Sequence, residues 1–456
     1  MNPQIRNIKP DNQYTQEDDY RLRRLIMKGT SGQTVDLKPL FVTFSFVEDI
    51  FSCAISGSVL IKDAVNLFSA FPINGYETIE VSFKTPGIDS EEITKTFDVV
   101  EITEKVRAPN ERAEVYRINF VSQTATKDKL TTISKSYKGK ISDIVEKIYS
   151  EYLAGPSNTL KKPQETLEEK KYVIPRWSPF RALTWLAKRA EPVKESNETN
   201  FLFFENVDGH NFISLSELVS QDPVIEYFNI PVLVGGGSKE LAKNFLNVKN
   251  SLFLKSSQKL KEQMSGAYTS TLYTHDVTTK QWNKYTYKHS EDNIRHITDN
   301  KLTMKNDKYE SNPNSVVHLS TKQSALMGKD YPNIQNQEKW LQRTISSDVL
   351  VDTIKLKITT SGNSRLRVGN VIEFYTPKTG SLESPETAQK WYDEKFSGKY
   401  LITNLRHTIT PEGYTNTIGL AKNSYEQRIP EIVAFLGTGA VPARSPSPLF
   451  LAGGSR

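Results

Sequence analysis

Lys399-Tyr400-Leu401-Ile402-Thr403-Asn404-Leu405, the turn Pro411-Glu412-Gly413 and the return from Tyr414 to Asn423 form a strand, a turn and a second strand. Thr96-Phe97-Asp98-Val99-Val100-Glu101-Ile102 has the same outline: a turn at Ala108-Pro109-Asn110-Glu111, then Tyr116-Arg117-Ile118-Asn119-Phe120-Val121-Ser122. Each is an aromatic-led strand, a Pro-bearing turn and a Tyr-led return, and each closes a β-rich segment. Neither segment is long enough to be the whole protein. Read as a repeat, the pair predicts one chain carrying the same barrel twice, so that three chains present six equivalent faces. Two unrelated hairpins could share this outline, and the hairpins alone leave that reading standing.

Working outward from the first hairpin, Val42, Phe44 and Phe46 alternate with Thr43, Ser45 and Val47, and Ile79, Val81 and Phe83 with Glu80, Ser82 and Lys84. This is the period of a strand with one wet face. Gly57-Ser58-Val59-Leu60-Ile61-Lys62-Asp63 adds a short apolar strand, and Phe71-Pro72-Ile73-Asn74-Gly75 a turn. Around the second hairpin, Ile354, Leu356 and Ile358 alternate with polar neighbours, and Arg367 to Phe374 reads as further strand. Between the two β segments the texture changes. Ile141, Ile144, Val145, Ile148 and Tyr152 keep helical spacing. Ser178-Pro179 is a helix start, with Phe180, Leu183, Ala187 and Ala190 as its buried face. Phe201 to Glu205 and Phe212 to Leu215, joined at Asp208-Gly209, read as a hairpin. Gly235-Gly236-Gly237-Ser238 is a linker, since it lacks the Gly-Lys-Ser/Thr tail of a phosphate loop.

The chain has 456 residues, enough for several cores, with 37% hydrophobic and 25% charged residues and 41 Phe and Tyr in all. That aromatic supply favours sheet cores over disorder. The net charge of +6 is spread among mixed charges and makes no nucleic-acid stripe. No apolar run approaches a membrane span, and the opening Met1-Asn2-Pro3-Gln4-Ile5-Arg6 has no apolar core of a signal peptide, so a soluble product made in a cytoplasm is expected. Cys53 is the lone cysteine and is expected to be a small buried hydrophobe. His210, His275, His289, His296, His318 and His407 show no metal-ligand spacing. There is no Gly-x-Ser-x-Gly elbow, and acid pairs such as Glu91-Glu92 fall in polar loops. A non-enzymatic chain with no cofactor or metal is expected, and a cell-wall hydrolase is the remote alternative.

Several stretches, in order, resemble one family. Glu48-Asp49-Ile50-Phe51, Gly57 to Ala64, Leu67, Phe71-Pro72-Ile73, Gly75, Glu77 and Ile79 look like its opening barrel. Trp177-Ser178-Pro179-Phe180, Leu186-Ala187-Lys188-Arg189-Ala190, Phe203-Phe204-Glu205 and Asp208-Gly209 are similar to its middle module. Leu366 to Ile372 and Gly398 to Thr403 resemble its second barrel. The family is the central baseplate hub of contractile-tailed phages of the T-even kind, whose body type VI secretion spike proteins share.

The resemblance implies a mainly β fold with α+β modules: two tube-like antiparallel β-barrels with α/β inserts between them. On that reading residues 1–24 are an arm, 25–125 the first barrel, 126–238 an α+β module, 239–340 a polar connecting module, 341–425 the second barrel and 426–456 a tail. It also implies a homotrimer of pseudo-sixfold symmetry in the virion tail baseplate, synthesised in the host cytoplasm. A tail-tube initiator or tube proteins would sit above, a central spike below and wedge proteins around. DNA would pass through the lumen without specific binding, and nothing would insert in a membrane. Edge strands of neighbouring barrels would pair across subunits to close the ring. A hub of a type VI-like injection system is the alternative within this class. In the Gly-, Pro- and Ser-rich tail, Phe435, Leu449 and Phe450 are expected to order against a partner.

Overall fold

A computed structural model describes residues 16–424, apart from 68–70, 72, 88–91, 108–112, 157, 194–199, 231–243, 256–257, 292–310, 323–336, 352, 378–391 and 394. The N-terminal unit contains β1 (Arg21–Lys28), β2 (Thr34–Asp36), β3 (Phe41–Asp49), β4 (Ser56–Asp63), β5 (Thr78–Lys84), β6 (Ile93–Arg107) and β7 (Glu114–Ser122). The alternation predicted for β3 breaks at its start. Val42 is the extra residue of a bulge between Phe41 and Thr43, so Phe41, Phe44 and Phe46 turn inward while Val42 faces solvent. The hairpin tip at 108–111 lies outside the described residues.

The middle module follows as α1 (Gln123–Leu130), β8 (Ile133–Gly139), α2 (Ile141–Tyr152), β9 (Lys170–Trp177), α3 (Pro179–Ala187), β10 (Phe201–Asn206), β11 (Gly209–Ser214) and α4 (Leu215–Val219). Ser178 caps α3 as predicted, its hydroxyl accepting from the Arg181 N–H at 3.5 Å, and the Asp128 carboxylate accepts from the Phe180 N–H at 2.6 Å. Ile144, Val145 and Ile148 of α2 join Leu183 and Leu186 of α3 in one core with Phe201 and Phe212 of the hairpin. The hairpin turn is Val207-Asp208, one residue earlier than expected, because Gly209 (φ +134°) already pairs with Asn206.

The rest comprises β12 (Glu226–Phe228), β13 (Val248–Lys255), α5 (Lys259–Met264), β14 (Thr269–Asp276), β15 (Gln281–Lys288), β16 (Val317–Lys322), α6 (Gln337–Leu350), β17 (Ile354–Ser361), β18 (Val371–Tyr375), β19 (Gly398–Thr410) and β20 (Gly413–Lys422). Strands β15-β14-β16 form a small sheet beside α6. Strand β13, from the same polar stretch, pairs with β17 instead. The Gly235–Ser238 linker lies outside the described residues.

The topology repeats. Five strands run β3-β4-β7-β6-β5 in the first unit and β13-β17-β20-β19-β18 in the second, every neighbouring pair antiparallel and the chain order the same. The registers repeat as well. Ile79 opposite Phe97 corresponds to Ile372 opposite Tyr400, and Val59 opposite Ile118 to Ile358 opposite Ile418. Two bulges recur. Val42 in β3 matches Lys249 in β13, and Val100 in β6 matches Thr403 in β19. The Val99 N–H donates to Glu77 O at 2.9 Å, and its counterpart Ile402 donates to Asn370 O at 2.9 Å.

The units also differ: Leu254 in β13 and Glu104-Lys105 in β6 bulge without a counterpart, and β1 flanks β5 antiparallel where β12 flanks β18 parallel. Gly57 sits where a Cβ would meet Ser45 O at 2.4 Å and the Phe120 ring at 2.6 Å. Its counterpart is Leu356, opposite Leu420. Each unit has its own core. In the first, the Leu37 N–H donates to Leu25 O, one step beyond the Ile26–Asp36 pair of the β1–β2 ladder. In the second, the Phe228 N–H of β12 donates to Leu246 O just before β13.

Candidate assembly interface

The two barrels meet at one seam, where the C-terminal half of β19 leaves β18 and pairs with β3 from Asn404 opposite Asp49 to Ile409 opposite Phe44. The whole array is therefore one continuous sheet. Ile409 and Tyr414 of the second unit sit in the first core, and Ile50 of the first sits in the second. A fully buried polar group pins the register. Glu48 accepts from the Val368 N–H at 3.0 Å, and its other oxygen lies 3.4 Å from His407 Nε2. His407 Nδ1 is 2.6 Å from the Tyr414 hydroxyl, and the ring stacks on Phe46 at 4.5 Å. Thr85 adds a second tie, donating to Gly362 O and accepting from the Ser364 N–H.

The middle module is riveted to the first barrel by Glu205. One carboxylate oxygen accepts from the Ile55 N–H at 3.1 Å, and the other lies 3.5 Å from Lys95 Nζ. His210 Nε2 donates to Cys53 O at 3.0 Å, which leaves Nδ1 to accept from the Tyr149 hydroxyl at 3.1 Å, the pattern of a neutral ring. Asp208, bound to Arg367 at 2.7 Å and Lys161 at 3.1 Å, ties the module to the second barrel. Cys53 is half-buried rather than fully buried. Its thiol lies near Thr184 Oγ1 and Phe203 O, and burial raises its pKa, which makes it a poor nucleophile.

Burial lowers the pKa of both His210 and His407, against the pull of Glu205 and Glu48. A histidine held neutral when folded takes up its proton only on unfolding. The stability present above pH ~6.5 is therefore lost as pH falls from there toward the depressed folded values, at up to about 1.4 kcal/mol per pH unit for each ring. Urea midpoints between pH 7.5 and 5.5 should fall, and the slope should flatten in His210→Gln/His407→Gln. An equally steep decline in that double variant would remove these rings as the cause.

Phe435, Leu449 and Phe450, expected to bind a partner, lie outside the described residues. Sequence reasoning missed two open sheet edges. Beyond Asp98 the outer edge of β6 pairs no described strand, and neither does the outer edge of β13 from Asn250 onward. Both carry exposed apolar residues: Val100 on β6, and Leu252 (54% exposed), Phe253 (36%) and Leu254 (52%) on β13. Three consecutive apolar residues in a stretch of Lys, Asn and Ser were the available signal. Among the described residues, no cluster of three His, Cys, Asp or Glu side chains could hold a metal.

No family model matches the chain. It is 22% identical over 389 residues, 81% of this chain and 87% of the relative, to a protein of Vibrio phage KVP40 named "Probable baseplate hub protein". Among solved structures it is similar to the tail protein from Neisseria meningitidis MC58, with a TM-score of 0.51 at 11% identity, covering 89% of this chain and 97% of that one. It is also similar to the 43 kDa tail protein of prophage MuSo2 from Shewanella oneidensis, with a TM-score of 0.50 at 10% identity, covering 89% and 99%. The fold is that of phage tail proteins, and the resemblance to baseplate hubs extends over most of the chain.

Proposed function

We propose that this chain is a structural subunit of a phage tail baseplate hub, working as a homotrimer that joins a sixfold tail tube to a threefold central spike. The observation that carries this reading is the five-strand repeat with matched registers and bulges. A threefold ring of single barrels cannot match a hexameric tube subunit for subunit. A threefold ring of chains that each fold the barrel twice offers six similar faces above and keeps threefold symmetry below. The 22% identical hub protein of Vibrio phage KVP40 supports the same assignment. The role is one of geometry and requires no chemical step. The product sits in the virion baseplate, with tube or tube-initiator proteins above, a spike below, wedge proteins around and DNA passing through the lumen.

Light scattering on the full chain tests the reading. The expected mass is three times the 51.8 kDa of one chain, and electron micrographs should show a ring of six barrel densities. A strict monomer at high concentration, with no ring in the presence of tube or spike proteins, would overturn it.

A further inference from the structure

We infer that neighbouring subunits join by antiparallel pairing of the open edge of β6 with the open edge of β13 from the next copy, with Thr103 opposite Leu254. The inference rests on the trimeric hub reading and adds the contact that builds it. The seam inside one chain shows the arrangement, since there β3, the first strand of one repeat, pairs with the C-terminal half of β19, the fourth strand of the other. The counterparts of these two strands are β13 and β6, and within the chain both keep that same edge unpaired by any described strand. A closed ring needs every seam to be alike, so the edge left on each chain meets the complementary edge of the next.

The seam also sets the register. Arg406 faces Val47, and His407 faces Phe46. The matched bulges carry Arg406 to Thr103 and Phe46 to Phe253, and counting on one residue from Phe253 sets Leu254, an extra residue in the ladder to β17 that β3 lacks, in the place of Val47. Burial along the two first strands agrees. Phe46 is fully buried under β19, whereas Phe253, at the equivalent place with no strand beside it, is 36% exposed, as Leu252 and Leu254 are to a greater degree. Three apolar residues in a row on an uncovered edge invite pairing by another strand. Charge does not choose the register. The outer half of β6 carries Glu101 and Glu104 but also Lys105 and Arg107, and Lys249 and Lys255 of β13 already pair with Asp18 and Glu262 within the chain.

The test is oxidative cross-linking of the full chain in a Cys53→Ser background carrying Thr103→Cys and Leu254→Cys. Directly opposed antiparallel residues have Cα atoms ~4.5–5.5 Å apart, within reach of a disulfide. The neighbouring pair Ile102→Cys with Lys255→Cys covers the alternate hydrogen-bonding position. Mild oxidation of one of the two pairs should give covalent dimers and trimers that reductant dissolves. Thr103→Cys with Leu130→Cys, the latter exposed but on neither open edge, should give none. A trimeric mass with neither edge pair cross-linking overturns this contact and leaves the hub reading intact. Monomeric starting protein overturns both together. Cross-linking by the control pair as efficiently as by the edge pairs also overturns the contact.

Discussion

Glu205→Ala should cost about 3–5 kcal/mol of folding stability, because it leaves Lys95 charged, buried and without its carboxylate. The two side chains are 2% and 8% exposed. The same change strips the Ile55 N–H of its acceptor and removes the negative charge 3.9 Å from His210 Nε2. Glu205→Gln should cost less, since the amide oxygen can still accept from Ile55 while the charge is lost. Replacing both partners, as in Glu205→Leu with Lys95→Met, should recover much of the loss, because neither buried charge then remains. Urea midpoints at constant m-value give each number. A loss under about 1 kcal/mol for Glu205→Ala would mean that water reaches Lys95 and that the middle module is not clamped to the first barrel through this pair.

Glu205 stood in a recognisable run, Phe203-Phe204-Glu205, yet its partners could not be read from it. His210 stands opposite Glu205 in the hairpin, but Ile55 and Lys95 come from two distant segments, and a buried charge leaves no periodic trace. The barrels were far more legible. Alternation marks Ile79–Phe83 and Ile354–Ile358 because one face of each strand is wet, and the Ser178-Pro179 start fixes α3 through two local hydrogen bonds. Alternation failed where the backbone broke its own period, as at the Val42 bulge. The second repeat looked one strand short because Val248–Lys255 carries no alternation and pairs with a strand about a hundred residues later. The sheet β15-β14-β16 was obscured for a different reason. Its buried strand is largely polar, with Thr269 satisfied by Tyr287 O, Thr271 by Pro313 O, and Ser270 O by Gln342. The seam was invisible because Glu48 and His407 meet only when two complete barrels dock.

Phe46 and Phe253 hold equivalent places in the repeat, and the same truncation should act on different properties at each. Phe46→Ala removes a fully buried ring stacked on His407 and lying 6.0–6.2 Å from Phe44, Phe83 and Phe97, so about 3–5 kcal/mol of folding stability should go. Phe253→Ala removes a half-exposed ring that packs on Phe396 at 4.7 Å, and the isolated chain should lose about 1 kcal/mol or less. On the proposed pairing, however, Phe253 takes the position that β19 covers at Phe46, inside the subunit contact. Truncating an aromatic anchor there should cost about 2 kcal/mol per contact, roughly thirtyfold in affinity. Dilution followed by light scattering separates the cases. Phe46→Ala should lower the urea midpoint, and Phe253→Ala should leave that midpoint near wild type while shifting dissociation to higher concentration. If Phe253→Ala dissociates at the wild-type concentration, β13 stands outside the contact, and the ring closes through some other edge.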